Sequence, residues 1–372
     1  RDGTHTRVCK ACRTVETGPH TFDQGGRCTT CQLQAVAAVT VSGSTKYHFF
    51  MDSAWEEAQG QIATVKILQD VDLETETLVL TDSDSRITLE MAEGVMLLGN
   101  TEGAGETIRV EDGALSLKSG TVKLQTLKYY HNLDDACAIR VRGGSVEVLG
   151  GSAVVSGSVS GVGKASGIKV EDGSLSIKGG EILGSSTLSS GVHVAGGVAE
   201  MSGGTITASA QGIYAAGGDT TISGGTVCST LGANTFLSED YGGVYVEDGH
   251  VEMNGGEVLS GSTARFNYCH GIFFKGGTME ITDGSVTGSR NGILISQNPT
   301  TGGTLLIRGG TFTGTGGYGL YAEYDTGQTR LAGGTFAGAP YGVRSPDNKL
   351  KDLLEKGYVY YTLKDGERTL VV

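Results

Sequence analysis

The sequence GIKVEDGSLSIKGGEILG, at residues 167–184, decides the fold of this chain. It contains three short segments in which apolar and polar residues alternate, and glycine-containing turns separate the segments. Alternation of this kind is typical of β-strands, in which successive side chains point to opposite faces. One such unit is too short to bury its own apolar side chains, so it requires neighbours of the same kind.

The unit recurs from residue 107 onward at intervals that range from 21 residues (Val192 to Ile213) to 31 residues (Ile108 to Ile139). The first apolar position of its first strand is occupied by Ile108, Ile139, Ile168, Val192, Ile213, Val244, Ile272, Ile293, Leu320 and Val343. Stacked units with three strands each predict an all-β fold, a right-handed parallel β-helix solenoid. A β-propeller is the alternative, but the variable interval and the single tryptophan argue against it.

Short helical caps are expected at both ends, because an open solenoid would expose unpaired strand edges. Residues 53–56 (SAWE) resemble a capping box that opens a short helix at about residues 52–60. A helix that begins at Asp347 and a hairpin across Asp365 and Gly366 are expected to close the other end, at about residues 346–372. The β-helix is therefore predicted to span residues 37–372.

Residues 1–36 contain two C-x2-C pairs, Cys9 with Cys12 and Cys28 with Cys31. Each pair places two thiolates on one tight turn, and two such turns supply the four ligands of a tetrahedral structural zinc. A segment this short has almost no apolar core, so a crosslink must hold it together. The spacing predicts a zinc-ribbon-like module with four cysteine ligands; two disulfides are the alternative, and His20 is a further candidate ligand.

One residue in the first strand of each unit follows the inward apolar residue and is expected to face solvent. Stacking aligns these residues in one column, here named the stripe: Arg109, Arg140, Lys169, His193, Tyr214, Tyr245, Phe273, Leu294, Tyr321 and Arg344. Aromatic residues of the stripe and of adjoining loops are candidates for binding a sugar ring or a protein, namely Tyr214, Tyr245, Phe273, Tyr321, Tyr241 and Tyr268. The alternative is a ladder of rings that only stabilises the sheet.

The stripe contains no carboxylate, whereas glycoside hydrolysis requires two carboxyl groups within reach of each other. The candidates for catalysis are the acidic pair Asp134 and Asp135 and the histidine His270, which precedes a repeat glycine. Five units separate Asp135 from His270, so we expect no joint action and favour a non-catalytic protein. A loop site around Asp240, Tyr268 and His270 is the alternative.

Composition excludes several classes of protein. The formal net charge of −13 argues against a nucleic-acid partner, because a phosphate backbone requires a basic surface. The sequence has no run of 18 apolar residues, so membrane insertion is not expected. Glycine contributes 62 of the 372 residues but lacks the three-residue period of collagen.

In these features the chain resembles the pectin-lyase-like β-helix segments of large secreted surface proteins of anaerobic bacteria, in which zinc-ribbon-like modules alternate with β-helices. The matching features are the four cysteines of residues 1–36, His20, Gly26, ISGGT at residues 222–226 and LKDLLEKGYVYY at residues 350–361. The resemblance implies an extracellular location at the cell surface or wall and sister modules in a longer chain.

The role that the resemblance implies is that of an adhesin or scaffold module, which presents an elongated face to a glycan or a host surface protein. A polysaccharide lyase or glycoside hydrolase is the alternative function, and a spacer without any ligand is a third. A shared fold does not decide between them.

Overall fold

The structure, a computed structural model, describes residues 4–8, 15–100, 105–125, 135–156, 165–185, 189–231, 241–262, 269–296, 302–323, 328–339, 341–346, 350–362 and 368–371. The chain forms a parallel β-solenoid of about nine turns, with 58% strand and 4% helix. This confirms the all-β solenoid predicted from the glycine-spaced repeats.

The first face of the solenoid is a parallel sheet of eleven strands within the described residues. In order along the chain these strands are Leu78–Leu80, Glu106–Val110, Cys137–Val141, Ser166–Val170, Ser190–Val194, Gln211–Ala215, Gly242–Val246, His270–Phe274, Ile293–Ile295, Leu320–Ala322 and Val343–Arg344.

The second and third faces are linked, because the long strands His250–Ser262 and Gly277–Gly288 run from one face into the other. The second face also contains Ile62–Ile67, Arg86–Met91, Ala114–Leu117, Ser145–Val148, Ser174–Ile177, Val198–Met201, Asp219–Ile222, Gly303–Ile307 and Thr329–Leu331. The third face also contains Val71–Asp72, Met96–Asn100, Thr121–Gln125, Ser152–Ser156, Glu181–Gly184, Thr205–Ala208, Thr226–Leu231, Thr311–Gly314 and Thr335–Gly338.

Inward apolar side chains form one continuous core along the solenoid. Ile139 lies opposite Ile108 on the preceding strand and Ile168 on the following one, and all three are fully buried. Each buried aliphatic side chain of this size contributes about 1.5–3 kcal/mol of hydrophobic free energy. The core is therefore shared between coils, and no coil has a separate one.

Glycines at the turns let each coil approach the previous one closely. Gly173 has a left-handed backbone with φ of 75°, and a Cβ atom there would lie 2.5 Å from the carbonyl oxygen of Gly144. Likewise, a Cβ atom on Gly144, which has φ of 62°, would lie 2.4 Å from the carbonyl oxygen of Gly113. The recurrent glycines of the sequence thus meet both a conformational and a steric requirement.

Replacement of Gly173 by alanine is expected to destabilise the solenoid more than replacement of Gly94. Gly94 has a similar φ of 77°, but a Cβ atom there would have nothing within 4 Å. The Gly94→Ala variant should therefore show only the strain of the left-handed backbone, about 1–2 kcal/mol. Urea unfolding of both variants measures the difference, and equal losses would show that the stacked turns tolerate a side chain.

The N-terminal end of the solenoid is closed by an antiparallel hairpin and a helix. Strands Ala37–Val41 and Ser44–His48 form the hairpin, and the first of them pairs antiparallel with Ile62–Ile67. Helix Met51–Ala58 follows the hairpin and buries Met51, Ala54, Trp55 and Ala58.

Trp55 in this helix and Gln59 just after it form hydrogen bonds with the edge strand of the first face, Leu78–Leu80. The indole Nε1 of Trp55 donates to the Val79 carbonyl at 2.8 Å, and the Gln59 amide donates to the same oxygen at 3.0 Å. The expectation of a capping box at Ser53 is wrong, because the N-cap is Phe50 and makes no side-chain cap hydrogen bond. Ser53 lies inside the first turn and donates to the Phe50 carbonyl at 3.0 Å.

The C-terminal end is closed by a 3₁₀ turn and a second hairpin. Only Leu350–Leu353 form the turn among the described residues, shorter than the helix expected from Asp347; residues 347–349 lie outside the described ones. Leu354 instead continues the second face by a parallel bridge to Leu331, so the chain is extended where the expected helix would continue. Strands Tyr360–Thr362 and Arg368–Val371 form the hairpin, and the latter pairs antiparallel with Thr335–Gly338.

Candidate functional site

Three potential metal ligands meet in the N-terminal segment. One donor atom each from His20, Cys28 and Cys31 lies within 4.8 Å of the others, so this group could hold a metal ion. Nδ1 of His20 lies 3.4 Å from Sγ of Cys31. Strands Thr4–Val8 and Val15–Pro19 form an antiparallel hairpin before this group.

The turn at Cys28 favours a thiolate. The backbone N–H of Cys31 points at Sγ of Cys28 across 3.5 Å. Burial alone would raise the pKa of the Cys28 thiol, but hydrogen bonds from the backbone of Cys31 and Thr30 and from the side chains of His20 and Cys31 lower it to about 6. A thiolate is the form that binds a metal ion.

The sequence spacing identifies two of these three candidate ligands. Cys28 and Cys31 lie together as their C-x2-C spacing predicts, while Cys9 and Cys12 lie outside the described residues. From the sequence His20 is only a further candidate ligand, because it has no paired spacing of the kind that marks the cysteines. Only the structure brings His20 to the cysteines. There its ring packs against that of Phe49, with centroids 4.6 Å apart.

The stripe has the order that the sequence predicts. Strand pairing places its ten residues opposite one another in consecutive coils, from Arg109 beside Arg140 to Tyr321 beside Arg344. The rings of His193, Tyr214, Tyr245 and Phe273 follow each other with centroids 4.6, 5.3 and 5.1 Å apart.

The expectation that the aromatic residues of the stripe face open solvent is wrong for three of the four. Tyr214, Tyr245 and Phe273 expose only 4%, 3% and 3% of their surface. The physical reason is that rings on strands about 4.8 Å apart cover each other's faces. Tyr241 is buried as well, against Ala210 and Cys269, and Tyr268 lies outside the described residues.

Polar groups border the buried rings on one side. The Tyr214 hydroxyl donates to Glu247, and the ammonium group of Lys275 lies 3.3 Å from the Tyr245 hydroxyl and 3.2 Å from Glu247. The hydrogen bond to Tyr245 is the main reason that the pKa of Lys275 is raised. This arrangement supports the ladder interpretation of the middle of the stripe.

The last two coils present aromatic side chains that are not buried. We name the group Tyr318, Tyr321, Tyr341 and Arg344 the terminal patch. Tyr318 and Tyr321 are half-buried, whereas Arg344 is exposed and Tyr341 exposes 59% of its surface. Arg344 donates to the Tyr318 hydroxyl at 2.8 Å, and its guanidinium carbon lies 5.4 and 5.3 Å from the ring centroids of Tyr318 and Tyr321.

The first coils of the stripe are an ion-pair network. Arg140 is 3% exposed and pairs with Glu106, Glu171 and Asp135, the last at 2.8 Å. Lys169 pairs with Asp135 and, at 3.2 Å, with Glu171. Burial alone would raise the pKa values of Asp135 and Glu171, but the neighbouring Lys169 and Arg140 outweigh it and lower them.

The candidate catalytic residues do not come together. Asp135 is ionised within the network, Asp134 and Asp240 lie outside the described residues, and His270 begins a strand five strands further along the first face. Five strand spacings correspond to about 24 Å. His270 is 1% exposed, Asn291 contacts its Nδ1 at 3.2 Å, and burial lowers its pKa to about 3.

Acid is expected to destabilise the solenoid in two steps. The unfolded His270 has a pKa of about 6.5, so the unfolded chain binds a proton first, and stability falls as the pH drops from about 6.5 towards 3. Asp135 and Glu171 have lowered folded pKa values, so their contribution is present above about pH 4 and is lost below it.

Urea midpoints between pH 7 and pH 3 test this expectation. His270→Gln should remove part of the loss above about pH 4.5, whereas Asp135→Asn should reduce only the loss below it. An unchanged pH dependence in both variants would contradict the assignment.

Comparison with known proteins gave no match to a family model, to a curated protein or to a solved structure. None of the helices in the described part of the chain combines the length and the apolar character needed to cross a bilayer.

Proposed function

We propose that the chain is a non-catalytic extracellular module that presents the first face of its solenoid to a glycan or a host surface protein. The cell-surface location, the adhesin or scaffold role and the sister modules follow from the resemblance to bacterial surface proteins. A parallel solenoid suits this role because its eleven-stranded first face keeps distant residues of the chain in fixed positions along one line.

The terminal patch is the part of this face best suited to contact a partner. The three other cations of the stripe, Arg109, Arg140 and Lys169, all have carboxylate partners. Among the described residues of the stripe, Arg344 is the one cation without such a partner. Its remaining N–H groups and the adjoining tyrosine rings offer hydrogen bonds and stacking surface together, and this observation carries the proposal.

The buried stripe residues have a different part in this proposal. Tyr214, Tyr245 and Phe273, which the sequence marks as candidate ligand-binding residues, would support the face from within the ladder, and Tyr241 would do so through its buried contacts with Ala210 and Cys269. Tyr321 and the other residues of the terminal patch would bind the partner.

A polysaccharide lyase or glycoside hydrolase is less well supported. A glycosidase acid needs a raised pKa, and a lyase needs a base close to its substrate. Asp135 has a lowered pKa and is held by two cations, while His270 is buried.

Binding by the full chain should depend on the terminal patch. Glycan-array and pull-down screens are expected to find a partner, and Tyr321→Ala with Arg344→Ala should weaken its binding at least about tenfold, as loss of stacking and charged hydrogen bonds together implies. Leu149→Ala is the control, because Leu149 is 40% exposed and lies outside the patch. Equal binding by the double variant, or no partner in either screen, would contradict the proposal.

We also propose that the group formed by His20, Cys28 and Cys31, here named the metal group, holds a structural zinc ion. Cys28 and Cys31 would supply two thiolates, and Cys9 and Cys12 are the further cysteines that the C-x2-C spacing assigns to it. Bound zinc would stabilise a segment that has few apolar residues of its own and would leave no position for a substrate.

Metal analysis of the purified full chain should find one zinc per molecule. Cys28→Ser with Cys31→Ser should abolish it, while Cys228→Ser, which changes a cysteine of the solenoid, should retain it. Loss of four of the seven free thiols, without bound metal, would favour the disulfide alternative.

A further inference from the structure

The contact between His20 and Cys31 has the length expected between two ligands of one metal ion. Zinc binds sulfur at about 2.3 Å and imidazole nitrogen at about 2.0–2.1 Å, so the edge between these two corners of a tetrahedron is about 3.6 Å. The observed separation between Nδ1 of His20 and Sγ of Cys31 is 3.4 Å. Cys28 belongs to the same group within 4.8 Å, as a third corner requires.

The N-terminal segment offers five candidate ligands for four positions: Cys9, Cys12, His20, Cys28 and Cys31. A site made of four cysteines would leave His20 as a hydrogen-bonding neighbour, whereas a site with His20 needs only one cysteine from the first pair. The placement of Nδ1 at 3.4 Å from Sγ of Cys31, with Cys28 in the same group, favours the second arrangement.

His20 also joins this group to the solenoid. Its ring packs against Phe49 at 4.6 Å and against Phe22 at 5.8 Å, and Phe22 lies 4.8 Å from Tyr47. Tyr47 belongs to strand Ser44–His48 of the capping hairpin.

Close contacts of the backbone also join the N-terminal segment to the solenoid. Gly26, with φ of 77°, faces Tyr47 and Leu68 so closely that a Cβ atom would lie 2.6 Å from a methyl group of Leu68. The N–H of Val36 donates to the His48 carbonyl at 2.7 Å, and the N–H of Leu68 donates to the Val36 carbonyl at 2.8 Å. The N-terminal segment is therefore tied to the capping hairpin by contacts of its own residues Gly26 and Val36.

We propose that His20 is a ligand in a mixed cysteine–histidine site, and that the bound metal fastens the N-terminal segment to the capping hairpin. The inference rests on the zinc site proposed above and adds its ligand set and its mechanical role. A metal that fixes the His20 ring also fixes the aromatic contacts of Phe22 and Phe49. Metal binding to the folded form then stabilises the cap through linkage.

Cobalt absorption tests the ligand set, because the position of Co²⁺ bands reports how many thiolates surround the ion. Full-length His20→Ala keeps four cysteines, so a fourth thiolate is expected to take the place of the imidazole and to shift the Co²⁺ bands to lower energy. His20→Cys should show the same shift, because it too allows four thiolates around the ion. His250→Ala, at a half-buried histidine of the solenoid, is the control. Co²⁺ bands in His20→Ala identical to those of the unchanged protein would overturn the assignment of His20 as a ligand.

Trp55 tests the mechanical role, because this only tryptophan lies in the helix that packs against the capping hairpin. Chelation of zinc should lower the urea midpoint that its fluorescence reports, and Phe49→Leu should reduce that effect about twofold or more without loss of the metal. An unchanged midpoint in a chain that contains zinc would overturn the coupling. Absence of bound metal from the unchanged chain would instead overturn the zinc site itself.

Discussion

Each coil of the solenoid is held to the previous one by hydrogen bonds at the turns as well as in the strands. The N–H of Ser174 donates to the Gly144 carbonyl at 3.0 Å, and the N–H of Glu181 donates to the Gly151 carbonyl at 3.1 Å. Glycine stands above each of these carbonyls, since a side chain there would push the coils apart. The register of a whole coil is fixed in this way, because a slip by one residue would exchange the inward and outward side chains.

The fixed register explains why the fold and the order of the stripe could be predicted from the sequence. The glycine spacing alone places Tyr214 beside Tyr245 and Arg109 beside Arg140, and strand pairing agrees. Exposure could not be predicted in the same way. Alternation distinguishes inward from outward positions, but it does not show that neighbouring rings will cover each other, as at Tyr245 and Phe273. Within the stripe, rings remain partly open at the two ends of the aromatic column, at His193 and Tyr321.

The metal group shows a second limit of the sequence. A C-x2-C pair is a local pattern, so Cys28 and Cys31 could be recognised from their spacing. His20 reaches them because Phe49, in the capping region, packs against its ring, and contacts between distant residues leave no local trace. The same limit applies at the C-terminal end of the solenoid. Leu354 joins the second face by a bridge to Leu331, although the spacing of the leucines there predicts a helix.

The antiparallel hairpins at the two ends have a consequence for how copies of such a protein can be arranged. Strands of the solenoid pair in parallel, but strand Ser44–His48 at one end and strand Tyr360–Thr362 at the other are paired antiparallel to their neighbours. Because each hairpin reverses direction twice, these outer strands run in the same direction as the solenoid strands that they extend, so the hairpins alone would not stop another copy from pairing. At the N-terminal end the barrier is helix Met51–Ala58, whose Trp55 donates to the Val79 carbonyl at the edge of the first face, so a second copy could not continue all three faces there as one uninterrupted solenoid.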